Sequence, residues 1–249
     1  KQSKIINMNI NIRSISPFKD LSEQSIKAIE NNSQIVNFPI GFPILKKNII
    51  PNEVLIILSG EARLLIEELG QTSSISLLGN NSFIGLISIL RAQGCENIAA
   101  SSDLMALSIP DKVILEMYDQ DQNFKKWFDS NTQEAEILEI LNILQKNSTR
   151  SIKDLKKYFN LLRDNIKIKS FYEEKIEPDD NIINIIGSAN IINKRIGDVL
   201  NSNEKIKRIE PLPARIIQIK KSLYSKIIDK NPINNKKEIR KESGKLSSI

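Results

Sequence analysis

Short apolar runs broken by glycine, proline and asparagine dominate the first half of the chain, and longer helical periods follow. Residues 21–30, LSEQSIKAIE, place Leu21, Ile26 and Ile29 on one face, with Ser22 as N-cap and Glu23 in the first turn. That predicts a short helix. From Gln34 to Ser108 the runs Gln34–Phe38, Pro43–Lys46, Val54–Leu58, Ala62–Glu67, Ser74–Leu78, Asn97–Ala100 and Leu104–Ile109 come too close together for anything but strands. A β-roll or sandwich is the expected outcome.

After Pro110 the apolar positions Val113, Ile114, Met117 and Tyr118, then Phe124, Trp127 and Phe128, then Ile137, Leu138, Leu141 and Leu144 follow helical spacing, predicting two helices in succession. Ser151 is placed to cap another through Ile152, Leu155, Phe159 and Leu162, whose polar face is basic. Trp127 with its neighbouring phenylalanines reads as core before it reads as a lid over a ligand. From Asn181 to Ile219 a smaller β-rich region is expected, with Ile182–Ile186, Gly187, Gly197 and Pro213-Ala214-Arg215. The fold class is therefore α+β, mainly β with helices. Its expected parts are an extension over 1–16, a main domain over 17–147, a helix plus small β-rich region over 148–219 and a tail over 220–249.

Composition narrows the chemistry. The 249 residues hold no histidine and one cysteine, which excludes Ser-His-Asp triads, Cys-His dyads, zinc clusters and disulfide frameworks within the chain. A non-catalytic role is expected. Lys and Arg total 36 against 30 Asp and Glu, a net +6, and from Lys220 onward nine basic residues meet three acidic ones. The whole excess thus lies in the tail, which reads as a flexible linker with a membrane-surface contact as its alternative, while residues 1–219 are neutral. A folded part without a basic face is poor material for neutralising phosphates, so no nucleic-acid partner is expected. Apolar runs such as Val54–Leu58 fall far short of the roughly 18–20 residues of a membrane helix. The chain opens on Lys1 without a signal-peptide pattern and reads as a fragment or trimmed chain, cytoplasmic by default.

The glycine series is more specific. Strands closing at Gly60, near Gly70 and at Gly79 are followed by Asn80-Asn81-Ser82-Phe83-Ile84-Gly85, a short helical stretch and Ala99-Ala100-Ser101. This resembles the cyclic nucleotide-binding domain family, over residues 17 to about 128, and implies a jelly-roll β-roll flanked by helices. Ligand-competent members carry a cassette of the form Phe-Gly-Glu-x-Ala-Leu, then Pro-Arg-Ala-Ala. In it a helix N-terminus and backbone N–H groups meet the phosphate, the arginine neutralises it and the glutamate takes the ribose hydroxyl. The resemblance places a degenerate cassette on Phe83, Gly85, Leu86, Ile87, Ser88, Cys95, Glu96, Asn97 and Ile98. Leu86 stands where the glutamate would be, Ser88 at the small position, and Cys95-Glu96 replace Pro-Arg.

Losing the ion-paired contact costs about 2–5 kcal/mol and losing the ribose contact about 1–3 kcal/mol. Together that is at least about a thousandfold in affinity. No cofactor is therefore expected, and cyclic AMP or cyclic GMP binding is disfavoured. Arg91, at the start of a loop, is expected to be solvated rather than to substitute for the missing arginine, and Cys95 to be a small packing residue. The run Gly85–Arg91 with Cys95-Glu96 and Ala100-Ser101, and the later Gly187-Ser188 and Pro213-Ala214-Arg215, resemble the N-terminal region of bacterial peptidase-containing type I secretion ABC exporters. That resemblance implies a regulatory or docking module at the inner face of the membrane, with the exporter's peptidase or ATPase domain or its substrate as partner. A working cyclic-nucleotide sensor is the alternative. A catabolite-activator-type transcription regulator ranks last, since no pair of helices joined by a short turn follows the long helix.

Overall fold

The structure, a computed structural model, describes residues 10–68, 70–145, 152–172, 176, 179–201 and 204–229. Its elements are α1 (Glu23–Asn32), β1 (Gln34–Phe38), β2 (Pro43–Leu45), β3 (Glu53–Ser59), β4 (Ala62–Glu68), β5 (Gln71–Leu78), β6 (Phe83–Ile84), α2 (Leu86–Leu90), β7 (Ile98–Ala100) and β8 (Leu104–Pro110). There follow α3 (Asp111–Gln120), α4 (Gln122–Ser130), α5 (Glu134–Gln145), α6 (Ile152–Arg163), β9 (Ile166–Phe171), β10 (Ile182–Ile186), β11 (Val199–Leu200), β12 (Ala214–Lys220) and α7 (Lys221–Asp229). Two four-stranded antiparallel sheets, β1-β8-β3-β6 and β2-β7-β4-β5, form the roll, and a third, β11-β10-β12-β9, shares a hydrophobic core with it through α5 and α6. Among the described residues no helix is long and apolar enough to cross a membrane.

Strand periodicity divides the core. Leu55, Ile57, Leu104 and Ala106 turn into the roll against Leu64, Ile66 and Ile98 of the second sheet. Their neighbours Val54, Ile56, Leu107 and Ile109 turn outward, against Ile26 and Ile29 of α1 and against Ile114 and Met117 of α3. Two-residue alternation sends each strand's apolar side chains to both layers, so β3 and β8 are buried on both faces. Ser22 caps α1 as its sequence predicts, accepting from Ser25 N–H at 3.2 Å.

Several expectations need correction. Three helices, not two, follow Pro110, because Asn131 leaves the helical path between α4 and α5. The second β-region begins at Ile166 rather than Asn181: β9 alternates Ile166 and Ile168 inward with Lys167 and Lys169 outward, a polar-looking strand that composition hides. The supposed tail is helical at its start, since β12 runs into α7 and buries Ile227. Residues 230–249 lie outside the described residues, as do 1–9 and Ser151. Of the expected extension, Ile12 and Ile15 are buried against the helical layer.

A buried ion pair fastens the third sheet to the helices. Arg215, fully buried on β12, meets Glu136 of α5 through Nε to Oε1 at 2.8 Å and Nη2 to Oε2 at 2.9 Å. Its remaining donors reach Ser170 Oγ at 3.1 Å and the carbonyls of Phe128 and Asn131 at 3.3 and 2.7 Å, so the guanidinium is enclosed on all sides. Such a pair positions more than it stabilises, because two desolvation costs offset its attraction.

Candidate functional site

The cassette starts at a glycine for a steric reason. Gly85 has φ +88°, and a Cβ there would lie 2.9 Å from Pro51 Cγ and 3.0 Å from the Glu53 carbonyl oxygen. Only glycine accepts both conditions. The turn delivers the chain into α2, five residues long and wholly buried, and the loop that returns to β7 brings Cys95 and Glu96 back alongside.

Glu96 is the centre of the site. Its carboxyl accepts from Gly85 N–H at 2.9 Å through Oε1, and from Ser88 N–H at 3.3 Å and Ser88 Oγ–H at 2.5 Å through Oε2. The residue is 3% exposed. The carboxyl thus turns back on the amides of the turn that opens α2, which need an acceptor once buried. Burial pushes the Glu96 pKa up; the Ser88 hydroxyl, the Gly85 and Ser88 amides and the charge of Arg91 work against that rise.

Ser88 Oγ also accepts from Cys95 N–H at 3.3 Å and lies 3.6 Å from Cys95 Sγ. The thiol is 1% exposed and its pKa is pushed up to about 12, chiefly by burial. A buried thiol held protonated is inert packing.

Arg91 departs from expectation. It is 1% exposed, not solvated: Nε donates to the Gly187 carbonyl, Ala189 N–H donates to the Arg91 carbonyl at 3.1 Å, and Nη2 lies 3.5 Å from Glu139 Oε2. Burial opposes its charge, but Cys95, Glu136 and Glu139 outweigh that and raise its pKa. Sequence reasoning missed this role because its partners lie about fifty to a hundred residues away and carry no motif.

The structure thus brings Gly85, Ser88, Cys95 and Glu96 together. Leu86, Ile87 and Ile98 are core side chains, and Leu86 offers a sugar no polar atom. Asn97 turns away, its amide 3.4 Å from Glu67 Oε1, and Phe83 turns to Trp127 with ring centroids 5.3 Å apart. Between Phe83, Leu86, Glu96, Ile98, Leu64 and Trp127 lies a cavity of about 220 Å³. That is below the roughly 300–1,000 Å³ common for small-molecule sites. Phe124 and Phe128 are core, while the half-buried Trp127 closes the cavity's edge. A larger open cleft of about 610 Å³ lies between the roll and the third sheet, with Lys47, Lys194 and Arg195 at its rim.

A family described as Cyclic nucleotide-binding domain matches residues 35–121. Solved structures similar to the chain include the regulatory domain of Toxoplasma gondii PKA with cAMP, 12% identical over 87% of this chain and 90% of that one, TM-score 0.43. Others are the sensor domain of the transcriptional regulator DNR from Pseudomonas aeruginosa (12%, 47% and 84%, TM-score 0.42) and a cyclic nucleotide-binding-like protein from Brucella abortus (11%, 43% and 93%, TM-score 0.37). No curated protein matches. The residues that this family matches, 35–121, are the roll with α3, a segment similar to domains of the cyclic nucleotide-binding type.

Proposed function

We propose that this chain is a non-catalytic regulatory or docking module whose roll no longer takes a cyclic nucleotide, because its own Glu96 serves as the anion of the cassette. The observation that carries this is the set of three hydrogen bonds from Gly85 and Ser88 to the Glu96 carboxyl. An incoming phosphate has to displace a group tethered in place, whose effective concentration is on the order of millimolar or higher. If the carboxylate stays, the phosphate meets like charge in a partly desolvated pocket. The one buried cation nearby, Arg91, is engaged with Gly187 and Glu139.

Calorimetric titration of the chain with cyclic AMP and cyclic GMP tests this reading. No saturable heat is expected at micromolar ligand; micromolar binding by either would overturn it in favour of a working sensor.

The docking role fits an ABC exporter of the peptidase-containing class, at the inner face of the membrane, with the exporter's peptidase or ATPase domain or its substrate as partner. What supports this setting is the resemblance of residues 85–101 and 187–215 to that class. Sequencing the adjoining DNA tests it: an in-frame G-x-x-x-x-G-K-[ST] loop is expected downstream, and a stop codon with no such frame nearby would remove the exporter from the reading.

A further inference from the structure

The third sheet repeats the first strand for strand. The first runs β1-β8-β3-β6 and the third β9-β12-β10-β11, every pairing antiparallel. The register coincides as well. The row Ile35, Leu107, Ile56, Phe83 across the first sheet has its counterpart in Ile168, Ile217, Ile185, Val199 across the third. A one-residue slip in any strand would break this and send its side chains to the opposite face.

Features outside the ladders agree. Each closing strand runs straight into a helix whose first N–H bonds back to an asparagine ahead of the second strand, Asp111 to Asn52 O at 3.0 Å and Lys221 to Asn181 O at 2.8 Å. Ahead of each short strand a residue of positive φ, Asn81 (65°) or Gly197 (98°), donates to the end of the second strand, at Ile57 O (2.8 Å) or Ile186 O (2.9 Å). The helix before each first strand closes on an asparagine side chain bonded four residues back, Asn32 to Ala28 O at 2.7 Å and Asn165 to Leu161 O at 2.9 Å. Even the outer layers correspond: Ile26, Ile29 and Met117 bury against the first sheet, and Phe159, Leu162 and Ile227 against the third.

Among its described residues the second unit has no counterpart of the other sheet. Residues 187–198 replace the segment that holds the β4–β5 hairpin, and residues 201–213 the segment that holds α2 and β7. The turn Gly187–Ala189 occupies the place of Leu58–Gly60, from which the hairpin departs in the roll. With no hairpin to follow, the carbonyl of Gly187 and the N–H of Ala189 need other partners, and both are supplied by Arg91 at the end of the cassette helix. We infer that residues 152–229 are a second copy of the roll pared to a single sheet, and that this copy is the resident partner of the first copy's cassette, clasped through Arg91. Arg91 is a positioning residue here: it holds two units in register and touches no ligand.

The clasp stands whether or not the roll takes a nucleotide, so its failure and that of the reading above appear in different assays. Hydrogen exchange of the full chain, read by peptide mass, compares wild type with Arg91→Met. Exchange is expected to accelerate about tenfold or more in peptides over both 86–96 and 182–190, the effect of removing a buried charge-assisted bond, with 104–110 unchanged. Ile26→Val, a methyl removed beneath α1 on the outer face of the roll, in a core that holds no strand of the third sheet, is the control and leaves 182–190 at its wild-type rate. Acceleration confined to 86–96, or equal acceleration at 104–110, would overturn the partnership. Should Arg91→Met fail to fold, Arg91→Lys keeps the stem and charge without the Nε donor and reads the same peptides against the same two outcomes.

Discussion

Glu96→Ala removes the acceptor of three donors at once: Gly85 N–H (2.9 Å), Ser88 N–H (3.3 Å) and the Ser88 hydroxyl (2.5 Å). The hydroxyl can turn to Cys95 Sγ, 3.6 Å away. The two amides cannot move, since both residues are buried and their backbone is held by the turn into α2. Each buried donor left unpaired costs about 1–3 kcal/mol, or about 2–6 kcal/mol for the pair. Removing the acid also returns the burial penalty that raises its pKa, which places the expected loss in the lower half of that range, about 2–3 kcal/mol. The assay is urea unfolding at neutral pH, where the midpoint falls while the slope stays unchanged.

A second arm isolates the role of the carboxyl as the cassette's anion. Acetate supplies a free carboxylate, so Glu96→Ala gains stability with acetate as a bound ligand provides it, while wild type responds no more than to matched chloride. Titration has a definite sign as well. The folded pKa of Glu96 lies above its unfolded value, so between the two the folded chain binds more protons, and wild-type stability falls as pH rises from the ordinary glutamate range through the raised folded value. The variant lacks that slope. A loss under about 1 kcal/mol with no acetate response would refute the assignment of Glu96 as the group that satisfies the cassette.

Glu136→Ala leaves the guanidinium of Arg215 buried without its carboxylate and is expected to cost about 3–5 kcal/mol in denaturant unfolding. Glu136→Met with Arg215→Met recovers a large part of it. Cys95, with its pKa pushed up to about 12, is expected to resist thiol reagents in the folded chain at pH 8 and to react only as fast as the chain unfolds, followed by absorbance with an aromatic disulfide. Gly85→Ala forces a Cβ to within 2.9 Å of Pro51 Cγ at φ +88° and is expected to lower stability by about 1–3 kcal/mol, read from the same urea midpoint.

Local pattern in the sequence carried the roll. The strands from Gln34 to Leu104 are short, apolar and bounded by turn residues, so period-two burial and glycine spacing were legible without any partner in view, as was the cap of α1 at Ser22. The acid at position 96 and the leucine at 86 were equally plain. What Glu96 does was not, because its donors become partners only when the turn at Gly85 folds α2 back beside it. Arg91 with Gly187 and Glu136 with Arg215 join residues about 80 to 100 positions apart, and no periodicity encodes such pairs. The third sheet was hidden for a related reason: β9 alternates isoleucine with lysine, and its kinship to β1 lies in register across strands, a property that exists only after the chain has closed on itself. Local order follows from the side chains at hand, whereas the site and the clasp depend on which distant groups burial leaves in need of each other.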